Sequence, residues 1–375
     1  MNKLMISRRQ MVGGMLAAGV AATLGACGKK PGGASSGSGP SAWVLTGGPE
    51  KTFRGSFDRW NAAHEDQQIA TEWFANDAYK EKIRTAVGAG NAPTLLYNWA
   101  GGTLADYVAN EQVIDLTEAT ADVQARVIPS LLVPGQIDGR TYALPNNNSQ
   151  PVVLYYSKPA FKAAGVEPPK TWTELMGLVP TLADAGYIPF AEAGASQWPY
   201  LMWIEYLVDR IGGADPFARI VAGEKDAWSD PAITSALEKI QELVKAGGFG
   251  SSYGSVDADA GADIALVHTG KAAMILQGSW VYANFLRDAP DFVSAGSLGY
   301  TTFPSVEGGT GDMSSIVGNP ANYWSVSANS SEEARTTALE IGRRWAELTP
   351  GTIAEPVVDG EEVDRVTALI PYLAV

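Results

Sequence analysis

Hydrophobic residues occur along the chain either in short continuous runs or at helical spacing, and the two patterns predict strands and helices in alternation. Short apolar runs at 43–45, 95–97 and 152–156 have the length and composition of buried strands. The segments 52–64 and 78–89 instead place apolar residues at helical spacing. Such alternation is typical of an α/β protein, in which ligands bind beyond the carboxyl ends of the strands.

The second half of the chain continues the alternation, with more helices than strands. A hairpin with Asp-Gly at its turn is predicted over 137–142, and a strand over 272–276. Between the hairpin and the strand at 152–156, prolines bracket the polar run 146–150, which suits a crossover between two lobes. The acidic run 257–263 is interpreted as a loop with Asp263 capping a helix. The further predicted helices are 158–164, 173–185 (capped by Thr171), 200–211, 232–246, 263–270 and 332–348.

Composition indicates a folded, acidic chain large enough for two lobes. Hydrophobic residues make up 46% and charged residues 18% of the 375 residues, and single cores stop growing near about 250–300 residues. The net charge is -14, and no basic cluster follows Lys29 and Lys30, so nucleic acid is not an expected partner. His64 and His268 stand far apart, so we expect no metal site and no cofactor.

The amino terminus has the pattern of an export signal. Lys3, Arg8 and Arg9 precede an uncharged run that ends in small residues at Cys27, the only cysteine of the chain. The run is shorter than the roughly 20 residues of a membrane-spanning helix. This segment resembles the lipobox of a bacterial lipoprotein, which predicts a signal peptide over 1–26, a lipid on Cys27 and attachment to the outer face of the cell membrane.

Two features flank the predicted cleavage site. Arg8 and Arg9 resemble a twin-arginine export signal but also fit the ordinary positive charges of any signal peptide, and both interpretations stay open. After the cysteine, 27–41 is rich in Gly, Ser, Pro and Lys and predicts a flexible linker.

Several segments in chain order resemble one known family. The most specific is Gly-Lys-Ala-Ala-Met at 270–274 followed by Gly-Ser-Trp at 278–280. The others are Asn-Ala-Pro-Thr at 91–94, the hairpin Asp-Gly-Arg-Thr-Tyr-Ala-Leu-Pro at 138–145, Tyr-Ser-Lys at 156–158, Thr-Trp-Thr-Glu-Leu at 171–175 and Tyr-Trp-Ser-Val at 323–326. Over 43–328 the chain therefore resembles the family 1 extracellular solute-binding proteins of ABC sugar importers.

The resemblance implies an α/β fold of the periplasmic-binding-protein type, with two lobes, a hinge and an interlobe cleft. It implies a monomer that captures a small oligosaccharide, of the xylobiose or raffinose type, and delivers it to the permease subunits of an ABC importer. After Ala328 the chain departs from the family pattern, which usually adds about two more helices, so we expect a truncated or divergent second lobe. The expected division is 42–148 with 300–349 in the first lobe, and 149–299 with 350–375 in the second.

Three tryptophans are candidate ligand contacts. Trp280 follows the Gly-Ser turn, Trp99 follows a strand and precedes two glycines, and Trp198 stands in a loop. Their flat apolar rings suit the C–H face of a sugar, although each also fits a core position. The tryptophans predicted to be core or structural are Trp43, Trp60, Trp73, Trp172, Trp228, Trp324 and Trp345.

Amide side chains complete the candidate site, because each one both donates and accepts hydrogen bonds, as sugar hydroxyls require. Turn chemistry is the alternative reason for asparagines in loops. The amide candidates are Asn98, Asn147, Gln150, Asn319 and Asn322.

The sequence leaves two alternatives to a sugar-binding protein open. A secreted glycoside hydrolase needs two carboxylates about 5–10 Å apart, for which Glu192 and Asp77 lie near possible cleft loops. The other rival is a lipoprotein adhesin without a small ligand. Neither a phosphate-binding loop nor a Gly-x-Ser-x-Gly nucleophile motif occurs, and we expect no enzymatic activity.

Overall fold

Strands and helices alternate along the computed structural model, which describes residues 39–348 and the pairs 357–358 and 361–362. The strands are β1 (Ser41–Leu45), β2 (Ala70–Phe74), β3 (Leu95–Asn98), β4 (Gln136–Ile137), β5 (Arg140–Thr141), β6 (Leu144–Pro145), β7 (Gln150–Ser157), β8 (Ile188–Phe190), β9 (Ala272–Gly278), β10 (Leu298–Thr301), β11 (Gly318–Asn319), β12 (Tyr323–Val326), β13 (Val357–Val358) and β14 (Glu361–Glu362). The α-helices are α1 (Glu50–Ala63), α2 (Asn76–Gly88), α3 (Gly101–Ala109), α4 (Ala121–Gln124), α5 (Pro129–Leu132), α6 (Lys158–Ala164), α7 (Trp172–Asp184), α8 (Tyr200–Gly212), α9 (Asp215–Val221), α10 (Pro231–Lys245), α11 (Ala262–His268), α12 (Trp280–Asp288), α13 (Pro290–Ser294), α14 (Glu332–Arg343) and α15 (Trp345–Leu348).

The first sheet has five strands in the order β2-β1-β3-β12-β6. β1 pairs in parallel with β2 and β3, whereas β12 pairs antiparallel with β3 and β6. The three parallel strands end at the same edge, where open α/β sheets bind their ligands. The segments that follow them, 46–49, 75–76 and Trp99, therefore meet at this edge.

The core of the first lobe is built on aromatic rings. Phe53 and Phe57 face inward from α1, as their helical spacing predicts, and are almost fully buried. Both rings lie against Trp324 and Trp345, with centroid distances of 5.2–6.1 Å. Aromatic pairs in such tilted and edge-on arrangements add stability beyond the area they bury. The core thereby joins α1 to β12 and α15.

The second sheet has the order β10-β7-β9-β8, and β11 pairs with the start of β7. β9 is buried along its whole length because helices cover both faces of the sheet. Met274 and Leu276 pack with one core, whereas Ile275 packs with another on the opposite face. This two-sided burial explains the continuous apolar run that predicts the strand.

Within residues 39–348, two chain crossings connect the sheets, one between β6 and β7 and the other between β11 and β12. The side chain of Asn147 donates from Nδ2 to Oδ1 of Asn322 at 2.8 Å, and accepts from the backbone N–H of Asn322 at 2.7 Å. The backbone N–H of Asn146 donates to the carbonyl of Asn322 at 2.7 Å. The crossings therefore run side by side and are bonded to each other.

The lobe boundaries expected from the sequence stay a prediction, and two observations bear on where the chain returns. Phe303 and Val306 are assigned to the first lobe by that division, but they pack in the core of the second sheet that contains Met274 and Leu276. β10 pairs with β7 of the second sheet, and the chain rejoins the first sheet only at Tyr323. Most of the expected tail segment 350–375 lies outside the described residues.

The predicted single helix over 332–348 is wrong in one respect, because the structure has two helices there. α14 begins with Ser331 accepting a hydrogen bond from the N–H of Ala334, and ends at Arg343. Arg344 leaves the helical conformation, with φ -99° and ψ 6°, before α15 begins. Directly after the break, Trp345 packs in the core of the first lobe, where its indole N–H donates to the carbonyl of Asn146 at 2.9 Å.

One tryptophan assigned to a core or structural position lies on the surface. Trp228 is 69% exposed, whereas Trp43, Trp60, Trp172 and Trp345 are buried as predicted. The reason is local: Trp228 sits in the short 3-10 turn Ala227–Ser229 between α9 and α10, in which the small Ala227 is the buried residue.

Candidate ligand-binding cleft

A cleft of about 560 Å³ lies between the two lobes. The segments after β1, β2 and β3 form one wall, and residues of β9, α8, α11 and α12 contribute to the other. Gln150, Asn319 and Asn322 line it beside the crossings. The volume falls in the range of about 300–1,000 Å³ that is usual for small-molecule sites.

The three tryptophans that the sequence analysis offers as ligand contacts, Trp99, Trp198 and Trp280, line the cleft, and they come from both walls. Trp198 and Trp280 stand together on the second wall, with centroids 6.0 Å apart and planes tilted by 55°. Trp99 lies on the first wall, edge-on to Tyr97 at 5.4 Å and to Tyr79 at 5.9 Å. The cleft therefore presents flat apolar surfaces from two directions.

The backbone around these rings is shaped to hold them. A Cβ atom on Gly278 would lie 1.9 Å from a ring carbon of Trp280, so only glycine leaves room for the indole at the end of β9. Ala100 and Gln197, next to Trp99 and Trp198, have φ values of +62° and +63°. Positive φ values are strained for residues other than glycine and concentrate at functional sites.

Lys80 of α2 also lines the cleft and lies among the aromatic rings. Its ammonium nitrogen is 5.3 Å from the ring centroid of Trp99 and 5.5 Å from that of Trp198. Both distances allow cation–π attraction. Burial lowers the pKa of Lys80, while the nearby carboxylates of Asp77 and Asp259 raise it.

Three predicted amide residues reach the cleft. Gln150 and Asn319 are cross-strand partners at the β7–β11 pair. Asn322 follows in the returning crossing, and its Oδ1 accepts from Asn147. The hinge region thus supplies polar groups to the end of the cleft that lies next to the crossings.

Asn98 and Asn147 are absent from the cleft wall in the described part of the chain. Asn98 is 2% exposed, donates to the hydroxyl of Ser325 at 2.8 Å and accepts from the N–H of Ala100 at 2.9 Å. Asn147 is bonded to Asn322 across the crossings. Their polar atoms are occupied by the protein itself.

Carboxyl groups give the cleft an acidic character. Glu205 and Asp263 line it, and burial raises the pKa of Glu205 to about 7 and that of Asp263 to about 6.

Asp263 does not cap α11, contrary to the sequence interpretation, because the helix begins at Ala262 after Gly261. Its carboxylate instead accepts from the side chain of Gln277 at 3.1 Å, across the floor of the cleft.

Glu192 lies outside the cleft wall and is buried. It is 3% exposed, and its Oε2 accepts from the indole N–H of Trp203 at 2.9 Å. Oε1 has no hydrogen-bond partner among the described residues. Burial raises the pKa of Glu192 to about 8, with a smaller contribution from Asp263.

Two polar atoms at the cleft lack a partner within the described chain. They are the indole N–H of Trp198, a donor, and Oδ1 of Asn284, an acceptor. Both atoms are buried, and a buried polar atom without a hydrogen bond is costly.

Several cleft residues were missed in the sequence analysis. They are Lys80, Glu205, Asp263, Gln277 and Asn284. One signal was available: Gln277 is a polar residue at the end of an otherwise apolar strand, and it is 1% exposed. Lys80 and Glu205 lie on helices, where a charged residue ordinarily indicates a solvated face.

This geometry agrees with comparison to known proteins. The sequence profile of the bacterial extracellular solute-binding proteins matches residues 46–340. The chain belongs to this family.

Solved structures share the fold. A protein from work on xylan utilization by Caldanaerobius polysaccharolyticus is similar with a TM-score of 0.75 and 29% identity, covering 82% of this chain and 78% of that one. A chitin oligosaccharide binding protein is similar with a TM-score of 0.71 and 23% identity, covering 88% of this chain and 86% of that one. A solute-binding protein in complex with raffinose has a TM-score of 0.65 and 18% identity, covering 89% and 88%.

Curated relatives match over part of their length. An uncharacterized ABC transporter extracellular-binding protein of Pyrococcus horikoshii is 25% identical over 65% of this chain and 55% of its own length. The sn-glycerol-3-phosphate-binding periplasmic protein of Pectobacterium atrosepticum is 31% identical over 38% of this chain and 34% of its own length. The chain thus spans about half or less of the curated relatives it matches.

Proposed function

We propose that this protein binds a small neutral oligosaccharide outside the cell and delivers it to the permease of an ABC importer. The observation that carries the proposal is the set of three tryptophans on both walls of a cleft of about 560 Å³. Indole rings suit the apolar C–H faces of sugar rings, and a few placed polar groups then fix orientation. The similar structure from work on xylan utilization, at 29% identity, supports a sugar as the ligand, and the curated relative of Pyrococcus horikoshii supports an ABC transporter as the partner.

We assign the stacking contacts to Trp99, Trp198 and Trp280, and the hydrogen bonds to side chains beside the crossings. Gln150 and Asn319 have amide groups on the cleft wall. The indole N–H of Trp198 and Oδ1 of Asn284 are buried and unpartnered among the described residues, and a sugar hydroxyl could pair with them if these side chains turn toward the cleft on binding. We assign no ligand contact to Asn98 or Asn147, because both bind the protein.

The charges of the cleft favour a neutral ligand over an anion. Its carboxyl groups belong to Glu50, Glu205, Asp259 and Asp263, whereas its cations are Lys80 and Arg287. Arg287 already pairs with Asp288 at 2.7 Å, and the ammonium of Lys80 lies between indole rings. A phosphate or a uronic acid would therefore meet more negative than positive charge.

We further propose that the protein acts as a monomer whose lobes close on the ligand about the two crossings. Closure is stabilised only by contacts that are better in the closed form. The importer would then recognise that form. Hydrolysis has no comparable support, because Glu192, one of the two acids that hypothesis needs, is buried against Trp203.

The protein should bind neutral oligosaccharides. Xylo-, galacto- or gluco-oligosaccharides of two to four units should bind with a Kd of roughly micromolar, about -8 kcal/mol, by calorimetry. The tryptophan emission should change on binding, because Trp99, Trp198 and Trp280 line the cleft. sn-Glycerol 3-phosphate serves as the anionic control. Heat from this anion with none from any neutral sugar would contradict the proposal.

We also propose that a lipid on Cys27 tethers the protein to the membrane. Cys27 lies outside the described residues, and among residues 39–348 no helix is long and apolar enough to cross a bilayer. Covalent lipid with more than one chain gives stable attachment.

The Cys27→Ser variant should therefore move from the membrane fraction to the soluble fraction or the medium. The measurement is fractionation after labelling with radioactive palmitate in a Gram-positive host. Wild-type protein that stays in the membrane fraction without incorporating label would rule out this anchor.

A further inference from the structure

Helix α2 of the first lobe receives its amino-terminal cap from the second lobe. The residue before the helix is Ala75, which has no side chain that could accept a hydrogen bond from the first turn. The carboxylate of Asp259 accepts the backbone N–H of Asp77 at 2.7 Å. The first N–H groups of a helix lack partners within it, so an acceptor there stabilises the helix through both the hydrogen bond and the helix dipole.

The turn that carries Asp259 is braced by its own hydrogen bonds. The N–H of Ala258 donates to the hydroxyl of Ser196 at 3.0 Å, and the N–H of Ala260 donates to Oδ1 of Asp257 at 3.1 Å. Ala195 donates from its N–H to the carbonyl of Val256 at 3.0 Å. These bonds join the turn to the segment that leads into Trp198, so both move as one part of the second lobe.

Lys80 meets this same part of the second lobe from α2. It stands one turn along the helix from Asp77, and its ammonium nitrogen is 5.5 Å from the ring centroid of Trp198. Its other aromatic neighbour, Trp99 at 5.3 Å, belongs to its own lobe. Two contacts of different chemistry thus connect the first turns of α2 to one braced element across the cleft.

We propose that Asp259 and Lys80, which both line the cleft, form an interlobe latch that stabilises the closed protein through their contacts with each other's lobe. Both contacts require the lobes to meet at this rim, so opening the cleft leaves α2 uncapped and separates Lys80 from Trp198. The latch residues are positioning residues, which act on ligand retention through closure. This role rests on the proposed function in one respect only: that closure retains a ligand.

Removing the latch should speed ligand loss. The Asp259→Ala variant should raise the dissociation rate and the Kd about fivefold, which is within the usual range for losing a helix cap, while the association rate changes little. Asp259→Asn should retain most of the affinity, because an amide oxygen also caps helices well. Asp291→Ala removes an exposed acid of the second lobe, on α13, and should have no effect.

A double-mutant cycle that combines Asp259→Ala with Lys80→Met tests whether the two residues act on affinity together, as a latch requires, or independently of each other. If both residues act through the same closed contact, the double variant should lose less affinity than the two single losses combined. Full additivity, together with unchanged dissociation rates in both single variants, would overturn the latch. If Asp259→Ala folds poorly, Lys80→Met alone still tests the latch, because it should also raise the dissociation rate, and an unchanged rate would contradict the proposal.

A distance measurement tests the latch independently of any ligand. Cys27 is the only cysteine, so Cys27→Ser with Arg84→Cys on α2 and Val221→Cys on α9 gives two labelling sites, one on each lobe, for fluorescence energy transfer. Adding Asp259→Ala should shift the distribution toward longer distances. Failure of every sugar to bind would defeat the proposed function but leave this shift testable, whereas identical distributions would defeat the latch alone.

Discussion

The Trp280→Ala variant should bind oligosaccharide at least about tenfold more weakly than the wild type, since losing an aromatic anchor in a pocket typically costs about 2 kcal/mol or more. The ring is half-buried beside Trp198 and forms part of the cleft wall. Its covered part packs on Gly278 and against the cores on both faces of the second sheet, but the ring is only half-buried, so the melting temperature should fall less than for a fully buried tryptophan. Calorimetry and a thermal melt on the same sample measure both quantities.

Two further variants decide whether the loss comes from the position of the indole. Gly278→Ala leaves Trp280 in the chain but places a Cβ where its ring lies, so it should also weaken binding. Trp228→Ala removes an indole that is 69% exposed and absent from the cleft wall, so it should bind normally. A Trp280→Ala protein that loses most of its stability yet binds sugar as the wild type does would assign this ring to the core.

The Glu192→Gln variant should flatten the dependence of stability on pH. The pKa of Glu192 is about 8 in the folded protein and is near 4.5 when unperturbed. The folded state therefore holds more protons than the unfolded state between these values, and the contribution of this group to stability falls as pH rises through that window. Each pKa unit corresponds to about 1.4 kcal/mol, so the window spans a few kcal/mol.

Melting curves of the two proteins at about pH 5 and about pH 8.5 measure this effect. The difference in stability between Glu192→Gln and the wild type should move in favour of the variant at the higher pH. Glu238→Gln, an exposed carboxyl on α10, is the control and should run parallel to the wild type. Asp263 and Glu205 are present in all three proteins, so their titration is common to the comparison apart from the electrostatic interaction of Asp263 with Glu192. Parallel curves for all three would show that Glu192 titrates as an ordinary carboxyl.

The fold could be predicted well because its signals are local. Phe53, Phe57 and Trp60 mark the buried face of α1 by spacing alone, and the apolar run of β9 marks a strand covered on both faces. The two prolines around 146–150 similarly mark a crossing between sheets. The break at Arg344 was missed, because it follows from the packing of Trp345 in the first core rather than from a glycine or proline.

The cleft was predicted only in part, because its walls join residues that are far apart in the chain. Trp99 and Trp280 were recognisable, since each follows a strand at the binding edge of its sheet. Asp259 and Lys80 were not, because an acid in a loop and a lysine on a helix are typical of any solvated surface. Asn98 is the opposite case, a predicted site residue that is absent from the cleft wall. It lies at the end of a strand near the binding edge, but its side chain donates to the hydroxyl of Ser325.

If the lobes close as proposed, the hydrogen-bonded asparagines at the crossings mark the pivot of that movement. Displacement during closure grows with distance from a pivot, and Gln150 and Asn319 stand only a few residues from Asn147 and Asn322. A sugar unit gripped by those two amides would stay almost stationary while the outer walls swing. The open protein would therefore already bind one end of the ligand. The length of the ligand would then decide whether its other end reaches the outer walls and stabilises their closure.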